Sequence, residues 1–239
     1  MTGGASGDVQ SASASTSNLH NAYVGSHAAT SLLAGEVRNG HGKTVRAAIL
    51  VSDMRGFTTL TDRLPTGRLI RLLNAYFESQ VPAIVGRGGD VLKFVGDGLL
   101  AIFRIDASAQ ETCDAALAAA REARTRILAL SASLADEGID GLRFGLALHL
   151  GDIRCGNIGG GDRLDFTCIG SPINLAARLE ALAGKLGRTI VASQAFAAHC
   201  ARSFIPLGQF ALKGFDRTEA VYGVTEEGVL QPTASAPTQ

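Results

Sequence analysis

The sequence lacks any imbalance of charge. Lys plus Arg and Asp plus Glu each number 22, so the formal net charge is zero. A neutral chain with no basic block has no general attraction for nucleic acid or for an anionic membrane, and neither is expected as a partner. Also missing is any run near the ~18 consecutive apolar residues that a spanning helix needs. The first residues lack the basic patch and apolar core of a secretory signal, so a cytoplasmic location is expected. The four cysteines, Cys113, Cys155, Cys168 and Cys200, show no CxxC spacing. They sit among apolar residues and read as buried reduced thiols, not as a metal or redox centre. His149 and the other histidines have no partner spacing for zinc.

Large apolar side chains are nearly absent from the first 20 residues, which are Ser, Ala and Gly and are expected to be disordered. A few follow before residue 45 (Tyr23, Val24, Leu32, Leu33, Val37), so residues 1–44 read as a disordered or partly packed lead. The Pro-, Ser- and Thr-rich stretch 226–239 reads as a flexible tail, which leaves 45–225 as one folded unit.

Within that unit the hydrophobic period alternates. Val45–Val51 is a strand-like run ending at Ser52-Asp53. Leu69, Leu72, Leu73, Tyr76, Phe77 and Val81 recur at three and four, the mark of a helix with one buried stripe, and Pro82 ends or kinks it. VLKFV and LLAIF flank Gly96-Asp97-Gly98, a strong short-range hairpin signal. A long alanine-rich helix over about 108–134 precedes the strand LRFGLALHLG. The glycine cluster GNIGGGD reads as a loop. Ser171-Pro172 has the form of a helix start, with Ser as N-cap and Pro at the first helical position. Strand-like pieces near 188–192 and 218–223 complete the unit. This order predicts an α+β fold, a ferredoxin-like sandwich with a mainly antiparallel sheet and flanking helices.

Asp53 and Asp97 each end an apolar strand with no histidine or cysteine near them. Two such carboxylates are hard oxygen ligands suited to magnesium or manganese carrying a nucleoside triphosphate. A lone Asp-Gly would read as an ordinary turn. Here Gly56-Phe57-Thr58 follows Asp53 and can turn backbone N–H groups toward an anion. Lys93 stands four residues before Asp97, roughly 13 Å away at ~3.3 Å per residue. Both can hardly serve one small ligand, so a functional Lys93 implies a dimer with composite sites; strand position alone leaves a plain surface lysine equally open. Asn174 and Arg178, at i and i+4, project together from the helix in SPINLAARLEAL. Such a pair is more often a solvated face, yet an arginine near a helix N-terminus can stabilise charge on a phosphoryl group.

Taken together, DMRGFT, KFVGDG and DFTCIGSPINLAARLE resemble the catalytic domain of class III adenylate/guanylate cyclases over roughly 45–225. The resemblance implies the cyclase version of the sandwich and a head-to-tail homodimer with two sites at its interface. It implies two Mg2+ or Mn2+ ions per active site, held by Asp53, Asp97 and the Met54 carbonyl, with Phe57 and Thr58 amides on the terminal phosphates. From the other subunit, Asn174 would orient the ribose and Arg178 would stabilise the transition state. Lys93 and Thr167 fall on the base-reading positions. Lysine resembles adenylate cyclases, and threonine in place of the commoner aspartate resembles a subgroup that includes bicarbonate-responsive enzymes. Arg163 and Lys213 fall where phosphate-binding cations often lie. ATP is the implied substrate, cyclic AMP and pyrophosphate the products, and an upstream regulatory domain outside this chain an expected partner. Arg87-Gly88-Gly89-Asp90 imitates a diguanylate cyclase signature but is misplaced relative to the hairpin. A silent cyclase-like module is disfavoured because both metal aspartates and the arginine are kept.

Overall fold

Neighbouring apolar residues along Ala47–Leu50 can all be buried only in a strand covered on both faces. A computed structural model of the chain describes residues 42–135, 138–139, 141–160, 163–200 and 203–227. It places them in β1 (Lys43–Arg55), at the centre of the sheet. Ala48 and Leu50 join one core cluster, while Ala47 and Ile49 join another, as the two-residue period of a strand requires.

Three helices follow β1: α1 (Phe57–Arg63), α2 (Thr66–Glu78) and α3 (Val81–Val85). Then come β2 (Asp90–Val95), β3 (Gly98–Arg104), the long α4 (Ala109–Ala135), β4 (Arg143–Gly160), β5 (Arg163–Ile169) and α5 (Ser171–Ala183). The last elements are β6 (Ile190–Ser193), α6 (Gln194–Ala197), β7 (Phe204–Ala211) and β8 (Thr218–Val224). The sheet order is β2-β3-β1-β4-β6-β8-β7, with β5 also paired to β4. Only the β4–β6 pair is parallel among the described strands. One face is covered through Leu72 and Tyr76 of α2, Leu117 and Ile127 of α4, and Phe196 of α6. The other is covered by α5, whose Ala176, Leu179 and Ala183 are fully buried. This is the expected α+β architecture. No described helix is long and apolar enough to cross a membrane.

Several local expectations need correction. β1 does not stop before Asp53 but runs through it, because Asp53 still pairs with Gly145 of β4. The N-cap of α5 is Gly170 rather than Ser171, with Pro172 inside the first turn. Asn157–Gly160 is not loop but the far end of β4, laddered against β5. That pairing also overturns the reading of four reduced thiols: Cys155 and Cys168 are register partners, their Cα atoms 4.0 Å apart, and form a disulfide. Cys113 and Cys200 are free and buried, as expected. In the diguanylate-like decoy, Gly88 supplies a turn at φ 78° and Gly89 serves packing, since a Cβ there would come within 2.6 Å of the Phe103 ring. The expectations for the first 41 residues lie outside the described residues.

Packing extends two residues past the expected end of the folded unit at 225. Glu227 is 5% exposed, and its carboxylate accepts the backbone N–H groups of Thr189 (3.0 Å) and Ile190 (3.2 Å). Arg124 of α4 lies 2.7 Å from the same carboxylate. Removing the carboxylate strands the buried N–H groups of Thr189 and Ile190, so Glu227→Ala is expected to lower unfolding stability by about 2 kcal/mol in urea titration. A change below ~0.5 kcal/mol would show the latch to be idle.

His149 is buried with Nδ1 2.7 Å from the Ser193 hydroxyl, and burial pushes its pKa down from 6.5 to about 4. The native state keeps the ring neutral where the unfolded chain takes up a proton. This contribution is intact above pH 6.5 and is lost progressively as pH falls toward 4. Stability is expected to decline across that window, more steeply in the wild type than in His149→Gln; equal slopes would contradict the assignment.

Candidate active site

The β2–β3 turn consists of two residues, Gly96 and Asp97, because Val95 pairs with Gly98. Gly96 supplies the positive φ of 62° that the turn needs. Asp97 thus sits at the tip, and the hairpin lies close against β1. A Cβ at Gly98 would stand 2.6 Å from the Ser52 carbonyl oxygen and 3.0 Å from Asp53 Oδ1. Only glycine permits that approach. The two carboxylates repel: burial raises the pKa of Asp53, the charge of Asp97 raises it further, and Arg55 lowers it.

Two acidic groups held together in this way fit a divalent cation, whose charge removes the repulsion. No cluster of three or more His, Cys, Asp or Glu side chains occurs among the described residues. The pair therefore leaves much of a cation's coordination to carbonyls, water or substrate oxygens, as magnesium and manganese sites commonly do. The Met54 side chain is buried in the core, so that residue has only its carbonyl to offer. Gly56, at φ 71°, turns the chain out of β1 into α1. The Phe57 and Thr58 amides fall in the first turn, outside the helical ladder; the Phe57 ring packs on the core and Thr58 is exposed.

A second group forms from segments distant in sequence. Lys93 Nζ of β2 donates to Thr167 Oγ1 of β5 at 3.3 Å, across 74 positions. Asn174 and Arg178 are exposed together on the outer side of α5, whose inner side carries Ala176, Leu179 and Ala183. Arg163 lies in β5, and Lys213 is exposed in the β7–β8 connection.

Two charged residues escaped the reading of the sequence. Arg55 Nη2 is 2.5 Å from Glu180 Oε1 and also donates to the Glu180 main-chain carbonyl. Its Nη1 lies 3.8 Å from Asp53 Oδ2. Burial pushes the Glu180 carboxyl up to about 7, against the opposing pull of Arg55. The signal was present, for Glu180 falls on the apolar stripe of α5 beside Leu179 and Ala183.

Comparison with known proteins is consistent with this geometry. Residues 41–224 match the family described as the adenylate and guanylate cyclase catalytic domain. An uncharacterised protein of Mycobacterium tuberculosis is 36% identical over 64% of this chain and 27% of its own length. An adenylate cyclase of Anabaena cylindrica is 28% identical over 78% of this chain and 36% of its own. The chain thus spans about a quarter to a third of these relatives. Among solved structures, the adenylyl cyclase CyaB from P. aeruginosa superposes with a TM-score of 0.71 at 28% identity, covering 80% of this chain and 100% of that one. The guanylyl cyclase Cya2 gives 0.68 at 26% identity, covering 80% and 96%. With a family match over most of its length and a fold shared with solved cyclase structures, the chain belongs to the adenylate and guanylate cyclase catalytic domain family.

Proposed function

We propose that this domain is an adenylate cyclase converting ATP to 3′,5′-cyclic AMP and pyrophosphate, acting as a homodimer with two composite sites. The observation that carries the choice of purine is the Lys93–Thr167 contact. An ammonium group has donors only, so it suits the acceptor N1 of adenine and opposes the N1–H of guanine. The Thr167 hydroxyl both donates and accepts, and is compatible with the adenine amino group beside N1. Thr167 also aligns the chain with the threonine-bearing subgroup, and rates measured across a bicarbonate titration at fixed pH test that assignment.

Asn174 would hold the ribose so that its 3′-oxygen faces the α-phosphorus in line with the bridging oxygen to the β-phosphate. The new bond forms from the 3′-oxygen to phosphorus, the bond to the bridging oxygen breaks, and the hydroxyl proton is released. Arg178 would meet the charge on the equatorial oxygens of the transition state. The Phe57 and Thr58 amides, Arg163 and Lys213 would bind the β- and γ-phosphates. Two Mg2+ or Mn2+ ions held by Asp53, Asp97 and the Met54 carbonyl would acidify the 3′-hydroxyl and neutralise the leaving pyrophosphate. The spacing of Lys93 and Asp97 along one strand supports the dimer. The metal carboxylates of one chain would face Lys93, Thr167, Asn174 and Arg178 of the other.

With ATP and Mn2+ the expected products are cyclic AMP and pyrophosphate, and kcat/KM for GTP should be at least about tenfold lower. Equal or preferred use of GTP would overturn the purine assignment; no turnover of either nucleotide would mark a silent module. Asp53→Ala and Arg178→Ala should each reduce kcat by about 100-fold or more while circular dichroism stays unchanged. Full activity of Asp53→Ala would refute the metal assignment. Mixing Asp97→Ala with Arg178→Ala protein should restore activity, since each mixed dimer keeps one intact site. Inactive mixed dimers of demonstrated composition would count against shared sites.

A further inference from the structure

Glu180 occupies an expensive position. It lies on the sheet-facing side of α5, in line with Ala176, Leu179 and Ala183, and its side chain is 6% exposed. An apolar residue of similar volume there would cost less, because desolvating an ion pair commonly cancels its attraction. The fold nevertheless makes room for the pair at a glycine. A Cβ at Gly145, the register partner of Asp53, would collide with both Glu180 Oε1 and Arg55 Nη2.

The pair also connects two functional elements. Asp53 and Arg55 are two residues apart on β1 and so emerge on the same face, the one that α5 covers. The Arg55 guanidinium lies between the carboxylates of Asp53 and Glu180 and donates to the α5 backbone at Glu180. Glu180 is two residues beyond Arg178, which at 100° per residue puts the two on nearly opposite sides of the helix. The helix is thereby pinned by its inner side at the level where its outer side presents Arg178.

We propose that Arg55 and Glu180 are positioning residues forming a strut that sets both the Asp53 carboxylate and the Arg178 face of α5. Glu180 keeps the guanidinium from collapsing onto Asp53, so the carboxylate stays directed toward Asp97 and the cation. The strut also fixes the rotation of α5. This inference rests on the composite-site reading above, in which Asp53 and Arg178 of one chain serve different sites; a single strut then touches both sites of the dimer.

The test is Glu180→Gln, which keeps the volume and removes the charge. Mn2+ titration of the nucleotide-free protein, followed by electron paramagnetic resonance, should show affinity reduced about tenfold or more, the usual effect of losing a partner that orients a metal ligand. Thermal unfolding is run in parallel. Unchanged Mn2+ affinity, whether or not the melting temperature moves, would overturn the proposal and leave the pair purely structural. The two-site part is tested in the Asp97→Ala/Arg178→Ala mixed dimer, whose intact site takes its metal ligands from the Arg178→Ala chain. Glu180→Gln in that chain should weaken the Mn2+ dependence of turnover. In the other chain it should lower kcat with the Mn2+ dependence unchanged. Identical effects from either placement would refute a strut serving two sites. A parent mixed dimer without activity would indict the composite-site reading alone, and the Mn2+ titration would still decide the role of Glu180 toward Asp53.

Discussion

The candidate site turns on one unfavourable interaction, the repulsion between the like charges of Asp53 and Asp97. Nothing in the stability of the fold asks for it; burial and mutual repulsion both act against ionising Asp53. The repulsion persists because backbone pairing imposes it. The β1–β3 register sets Ser52 opposite Leu99, and the two-residue turn then delivers Asp97 beside Asp53. Gly98 supplies the missing side chain that lets the hairpin close down. Placement by strand register is the kind of preorganisation that the proposed electrostatic stabilisation of a phosphoryl group requires.

The same strand explains how the site is divided. Alternate residues of β1 pack into different cores, so Ala48, Leu50 and Met54 anchor it to the face of α2, α4 and α6. Ala47 and Ile49 anchor it to α5. Asp53 and Arg55 continue the second series, which is why the helix that exposes Asn174 and Arg178 reaches back to β1 through Glu180. The charged end of β1 thus continues a series that begins as core packing against α5.

Much of this was legible in the sequence where the signal is local. The Asp-Gly turn between two apolar runs, the stripe through Leu72 and Tyr76, and the Asn174/Arg178 spacing each lie within a few residues and follow from a period. The Lys93–Thr167 contact joins positions far apart in the chain, and no period reports it; Thr167 was identified only through its place relative to Asn174 in a family motif. The end of β4 and all of β5 were missed because glycines at 156, 159 and 160 carry no hydrophobic alternation. With that hairpin unseen, Cys155 and Cys168 had no reason to be neighbours. Glu180 was visible as a charge on an apolar stripe, yet its partner Arg55 was read only as part of a motif.

The central claim is that Asp53 and Asp97 together hold the cations that carry the triphosphate. Anomalous diffraction from crystals containing Mn2+ and a non-cyclisable ATP analogue tests it most directly. The expected result is manganese density within bonding distance of both carboxylates, with the analogue's phosphate oxygens completing the coordination. Manganese bound away from this pair, or a triphosphate seated where neither aspartate reaches it, would contradict the account.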